Sequence, residues 1–488
     1  MSDVIAATGA GKVRGTESDG INSFKGVPYA APPTGDRRFR PPAPVEAWDG
    51  IRDALSLPPS CPQPAGRPVG WSAEPSLDED CLYLNVWTPA VGDDARRPVM
   101  FWIHGGGYAI GSGSWPIYDG ERLARRGDAV VITVNHRLGP LGYLHLADIA
   151  GEEFASSGNN GMLDLVAALE WVRDNVEQFG GDPGNVTVFG ESGGGAKIST
   201  LLGMPSARGL FHRAIIQSGP SMRVMSERRA NESARKLLDE LEIGSDNLSA
   251  LWDLPAERLV ETRSGSLGRM GFTPVLDGTV VADHPANALA EGAAVDVPLI
   301  IGCNRDEGAG QLPETLDEAG LREQLVVFGE DHVDEIMDTY QKVFPEASPL
   351  DLHSWVLTDS RMRYGSIQLA ERHATAMSSP TYMYLYCCTT AGRAGHGYEI
   401  VHHMDNLGQG AATPSAPRQA LADEMSEAWL AFARSGDPNQ PGLADWATYD
   451  LDDRATMYFD RGESVVHLDP EAPTRELWDR LLARPTRD

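Results

Sequence analysis

The sequence predicts an α/β fold, a central and mostly parallel sheet with helices packed on its faces, and three observations predict it. Short continuous apolar runs, Val99–Ile103, Ala129–Val134 and Val186–Phe189, read as strands. Unbroken rather than alternating apolarity suits strands covered on both faces. Helical segments lie between them: Asn159 to Phe179 sets Leu163, Val166, Ala167, Leu169, Trp171, Val172 and Val176 in a 3.6-residue stripe. Strand and helix in alternation imply parallel pairing through crossovers. The third observation is Val186-Thr187-Val188-Phe189-Gly190-Glu191-Ser192-Gly193-Gly194, a strand running into Gly-x-Ser-x-Gly with a helix-compatible Ala196–Leu202 behind it. That order builds a sharp strand-to-helix elbow with the serine hydroxyl thrust out above the sheet.

Taken in order, the chain opens with turn-rich strand candidates, Gly11–Gly15 and Phe24–Ala30, which read as a hairpin or meander. Pro32 to Pro44 is extended and irregular. Leu82–Trp87 begins the strand series, and two later strands, Val297–Gly302 and Thr381–Cys387, each precede a loop rich in polar groups and glycine. Residues 310–380 are mainly helical and acidic and read as a cap-like insertion. Without a linker, repeat or low-complexity tract, residues 1–488 read as one elaborated domain.

Composition narrows the function classes. The 488 residues carry 41 basic and 70 acidic side chains, a formal charge of −29. Such a surface repels nucleic acid and anionic membranes, so neither is expected as a partner. No stretch approaches the ~20 apolar residues of a membrane span, and the N-terminus lacks the basic and apolar regions of a secretory signal. Five cysteines are too few for a disulfide scaffold. The expectation is a cytoplasmic protein, monomeric or a small homo-oligomer.

A serine becomes nucleophilic when a base takes its proton, and the base needs a carboxylate to fix its tautomer. In chain order after Ser192, the loop Asn304-Arg305-Asp306-Glu307-Gly308 offers two carboxylates, Asp306 and Glu307, and residue chemistry does not choose between them. The loop Ala394-Gly395-His396-Gly397 offers an imidazole between glycines, with His402 and His403 as rivals. Earlier, Trp102-Ile103-His104-Gly105-Gly106-Gly107-Tyr108 ends a strand in a glycine run, whose unobstructed N–H groups can face an anionic oxygen.

Together these pieces resemble the type-B carboxylesterase family of the α/β-hydrolase fold, which includes bacterial p-nitrobenzyl esterases, animal carboxylesterases and cholinesterases. The resemblance spans nearly the whole chain. It takes in Phe24–Ala30, Glu79–Val86, the His-Gly-Gly-Gly run, Asn135–Gly139, Gly158–Gly161, Phe179–Pro183 and Gln217–Gly219. It implies cleavage of small-molecule carboxylic esters through an acyl-enzyme, with no metal and no cofactor. It also implies Ser192 as nucleophile, Glu307 rather than Asp306 as acid, His396 as base, and Gly106, Gly107 and Gly193 as oxyanion donors. Gly193 stands where the family usually has alanine. Arg137 with Asp164, and Arg38 with Glu79, fall where relatives form ion pairs. Cys61 and Cys81 match a possible disulfide of extracellular members and are expected as free thiols in a reducing cytoplasm. Trp71, Tyr108, Trp115 and Phe272 are expected, by position, to line the substrate pocket.

Overall fold

The computed structural model describes residues 2–64, 76–244, 246–263, 271–389, 392–409 and 413–482. Its N-terminal meander, β1 (Ser2–Thr8), β2 (Gly11–Ser18) and β3 (Ile21–Pro28), is antiparallel throughout. The series continues with β4 (Tyr83–Thr88), β5 (Arg97–Ile103), β6 (Val130–Val134) and β7 (Gly181–Glu191). It ends with β8 (Arg213–Gln217), β9 (Leu299–Asn304), β10 (Thr381–Tyr386), β11 (Thr456–Phe459) and β12 (Val465–His467). The spatial order is β1-β2-β3-β4-β6-β5-β7-β8-β9-β10-β11-β12. From β6 to β11 every neighbouring pair is parallel.

The parallel strands sit where the apolar runs placed them because both faces are covered. Val99 to Ile103, Val130 to Val134 and Val186 to Phe189 are all buried, and each apolar side chain so enclosed contributes roughly 1.5–3 kcal/mol. One core cluster joins Val188, Ile216 and Ile301 to the helix α1 (Asn160–Asn175) through Leu165, Leu169 and Val172. On the opposite face Trp102, Phe189 and Ile300 pack with Met425, Trp429 and Phe432. The expected helix to Phe179 closes in a 3-10 turn at Val176–Phe179, ended by Gly180 at φ 73°. Strand β7 starts earlier than its apolar run, at Gly181, where it pairs with Arg97.

The elbow helix α2 (Gly193–Gly203) follows β7 directly. Within 310–380 lie α3 (Glu318–Leu325), α4 (Val333–Val343), α5 (Pro349–Thr358) and α6 (Tyr364–Ala376). Leu321, Ile336, Tyr340 and Val356 there form a satellite core with Leu477 and Trp478. Among the described residues no helix is long and apolar enough to cross a membrane.

Candidate active site

Ser192 sits between β7 and α2 with φ 55° and ψ −118°, a conformation strained for a residue with a side chain. The elbow is tight: a Cβ on Gly194 would lie 2.0 Å from the Ile103 carbonyl, and one on Gly190 2.6 Å from the same atom. The Ser192 N–H donates to Gln217 O at 2.8 Å, tying the elbow to β8.

His396 and Glu307 come together. The His396 Nδ1 hydrogen-bonds Glu307 Oε2, while its Nε2 lies 3.1 Å from Oε1 of Glu191, the neighbour of Ser192. Among the described residues no hydrogen bond joins the Ser192 hydroxyl to His396. Such bonds are often long or poorly aligned until substrate is present. Glu307 is itself fixed: its Oε1 accepts the Asn304 N–H at 2.7 Å and the Ser218 hydroxyl. Asp306 turns the other way. Its carboxylate accepts the Ala394 N–H at 2.9 Å and Trp355 Nε1 at 3.2 Å, so it anchors the histidine loop and does not touch the imidazole. The rivals His402 and His403 are core residues. His402 Nδ1 meets the Tyr386 hydroxyl at 3.2 Å, and His403 stacks on Trp429. Burial drops them to about 4 and about 3.

Burial raises Glu191 to about 7, helped by Glu307 and opposed by His396. Glu399 rises to about 8 for the same first reason, with Glu191 and Glu307 adding to it, although Asn304 Nδ2 donates to it at 2.6 Å. For His396 burial acts downward, but the carboxylates of Glu191 and Glu307 outweigh it and raise the imidazole well above its ordinary value.

On the far side of Ser192 the glycine run folds back over α2. Gly106 and Gly107 have φ of 87° and 66°. Among the described residues, no hydrogen bond uses the N–H of Gly106, Gly107 or Gly193. Gly193 is the first residue of α2, where backbone donors have no partner within the helix.

The remaining expectations divide. Arg137 and Asp164 form a buried pair at 2.6 and 2.9 Å, and Arg38 pairs with Glu79. Cys61 and Cys81 are free thiols, both buried, and the hydrogen bond with Cys61 heads the causes that raise Cys81. Trp71 lies outside the described residues. Tyr108, Trp115 and Phe272 are packed into the core at 6, 9 and 2% exposure. Tyr108 lies edge-on to Tyr143, and Trp115 stacks on Tyr118. Sequence reasoning gave no role to Glu191, Lys197, Ser218, Asn304 or Glu399. A signal existed for Lys197, a lone cation inside the otherwise uncharged helical run after the elbow.

A nucleophile-elbow serine on a mostly parallel sheet, with imidazole and carboxylate delivered by loops after later strands, defines an α/β hydrolase. Residues 2–478 match the model of the Carboxylesterase family, and the chain belongs to that family. It is 36% identical over 500 residues to the para-nitrobenzyl esterase of Bacillus subtilis (strain 168), an alignment that covers 98% of each chain. It is also 36% identical to a phenmedipham hydrolase of Pseudarthrobacter oxydans, over 95% of this chain and 96% of that one. A crystal structure of a Geobacillus stearothermophilus carboxylesterase superposes with a TM-score of 0.86 at 37% identity, covering 97% of this chain and 99% of that one. The protein is an ester hydrolase.

Proposed function

We propose that the chain cleaves small carboxylic esters by two-step acyl transfer at Ser192. His396 takes the Ser192 proton as the oxygen attacks the ester carbonyl. Glu307 holds the imidazole by Nδ1 and stabilises the imidazolium that forms. The oxyanion accepts hydrogen bonds from the N–H groups of Gly106, Gly107 and Gly193, and the N-terminus of α2 adds its dipole. His396 then protonates the leaving alcohol. Water, deprotonated by the same imidazole, attacks the acyl-enzyme and releases the acid. Serine, imidazole and backbone amides complete this cycle between them.

The observation that carries the reading is the arrangement of His396, bonded through Nδ1 to a carboxylate that is itself fixed by Asn304 and Ser218, with Nε2 turned to the elbow. An orienting group on one nitrogen leaves the other free to act as base. The helical 310–380 segment fits the role of a cap, since Ser354 and Trp355 of α5 bond Asp306 beside the histidine loop.

Ser192→Ala tests the proposal. It is expected to abolish the acylation burst with p-nitrophenyl acetate, to lower turnover by more than about 10⁴-fold, and to prevent labelling by a fluorophosphonate. A fluorophosphonate adduct mapped to another residue would refute it.

A further inference from the structure

Lys197 is a buried cation to which the reaction above gives no task. It lies on α2, a little over one turn beyond Ser192, with no exposed surface. Its Nζ donates to Gly107 O at 2.7 Å and to His104 O at 3.3 Å, and sits 5.3 Å from the centre of the Tyr108 ring. Among the described residues it has no carboxylate partner, and burial lowers it to about 7. The titratable groups that face it do not compensate. His104 and His136, stacked at 4.6 Å, are pushed down by burial and then by Lys197 itself. Burial pushes Tyr108 up to about 12, so the phenol stays neutral. An ammonium in such surroundings costs free energy that its carbonyl bonds only partly offset.

Those bonds fall on one loop. The Gly106 carbonyl accepts the Ile110 N–H at 3.2 Å, and the Gly105 carbonyl lies 2.9 Å from His104 Nδ1. With Gly107 O and His104 O on the ammonium, the carbonyls from His104 to Gly107 are all engaged within the protein. Rotation of the Gly106 and Gly107 amides away from Ser192 would break the contacts of Gly105 O and Gly106 O, which share their peptide planes, and the ammonium holds the peptide units on either side. A second observation fixes the height of the loop. A Cβ on Gly193 would lie 2.2 Å from Gly107 O and 2.4 Å from Gly107 N, so the loop rests directly on the first residue of α2. A side chain at 193 would lift it away from the lysine.

We propose that Lys197 is a positioning residue of the oxyanion loop: it holds the Gly107 and His104 carbonyls so that the Gly106 and Gly107 amides stay aimed at the Ser192 adduct, and its charge faces the oxyanion across the loop. This rests on the oxyanion assignment made above.

The sequence has five lysines, so lysine labelled with 13C at Cε gives a resolvable spectrum. The wild-type enzyme is titrated free and as the hemiketal adduct of an aryl trifluoromethyl ketone, with Lys197→Met used to assign the signal. An oxyanion nearby favours the ammonium, so the Lys197 titration moves to higher pH in the adduct. An unmoved or lowered titration overturns the proposal. In Lys197→Met, kcat/KM for p-nitrophenyl acetate falls about 10- to 100-fold with KM little changed, and affinity for the ketone falls by the same factor. Retained ketone affinity in a folded variant also overturns it. Should that variant not fold, the wild-type titration decides, with the signal then assigned by Lys197→Arg. Ser192→Ala in parallel separates the two readings. Turnover surviving in it removes the oxyanion assignment itself, whereas a dead Ser192→Ala beside an indifferent Lys197 removes the lysine role alone.

Discussion

Around His396 the buried ionisable groups are the carboxylates of Glu191, Glu307 and Glu399; Asn304 and Ser218 hold Glu307, and Asn304 and Gln217 hold Glu399. Behind the glycine loop lie backbone amides and the ammonium of Lys197, which among the described residues bonds carbonyls and no carboxylate. In the proposed reaction a proton leaves Ser192 toward the first region and negative charge develops toward the second. Each region thus holds, before any substrate binds, groups whose charged form has the sign that its share of the proposed transition state needs. Fixed charges and dipoles set in place by folding need no reorganisation during the reaction, which is where electrostatic catalysis gains most. The two regions differ in what holds them. The acidic one is a network of side chains from β7, β8, β9 and two later loops, and the cationic one is a loop pinned on a single helix.

The largest way to break this comparison is Glu307→Gln. The new amide would keep its oxygen on the Asn304 N–H and the Ser218 hydroxyl, which both donate to Oε1 of the native residue. Its NH2 would then face His396 Nδ1 and force the imidazole proton onto Nε2, where it blocks acceptance of the serine proton. We expect kcat/KM for p-nitrophenyl acetate to fall about 10³- to 10⁴-fold with the fold intact. A loss below about tenfold would mean that the carboxylate does not set the tautomer.

A smaller effect sharpens the comparison through pH. His396 must be neutral to act as base, and Glu191 and Glu307 raise it, so kcat/KM climbs with pH along an acid limb displaced above the ordinary histidine range. Glu191→Gln removes one of the two carboxylates and lets the imidazole lose its proton at lower pH. At a point on the acid limb the variant is expected to keep about tenfold more of its own plateau activity than the wild type keeps. The measurement is kcat/KM from pH 5 to 10, and an unmoved limb would show that Glu191 is itself neutral throughout.

The strands of this site were legible in the sequence and much of its electrostatics was not. Apolar runs located β5, β6 and the end of β7 because complete burial leaves a one-dimensional trace. The first residues of β7, Gly181 to Asn185, escaped because they form no apolar run: Gly181 pairs with Arg97, and Asp182 to Asn185 are partly or fully exposed. Ser192 and His396 were marked by their glycine neighbours and chain order, whereas Glu307 was separated from Asp306 only by the resemblance to the carboxylesterase family. Ser218 was not marked, since its role depends on Glu307, 89 residues away. Glu191 and Glu399 read as ordinary charges, because only the tertiary fold shows that both are buried within reach of the same imidazole.

The smallest expected effect concerns stability and bears on the acidic region alone. Burial raises Glu191 from its ordinary value near 4.5 to about 7. The folded state therefore binds that proton more tightly than the unfolded chain does. The associated stability is fully present below pH 4.5 and is lost as pH rises through about 7. At alkaline pH the ionised Glu191 is a net cost to the fold, even with His396 beside it. Glu191→Gln removes the ionisation, so the variant is expected to be more stable than the wild type by about 1 kcal/mol at pH 8–9. The difference should close toward pH 4.5, as followed by urea unfolding across that range. Equal stability at pH 9 would mean that attraction to His396 fully offsets the burial, and the acidic region would then be as comfortable in the resting enzyme as in the transition state it is proposed to serve.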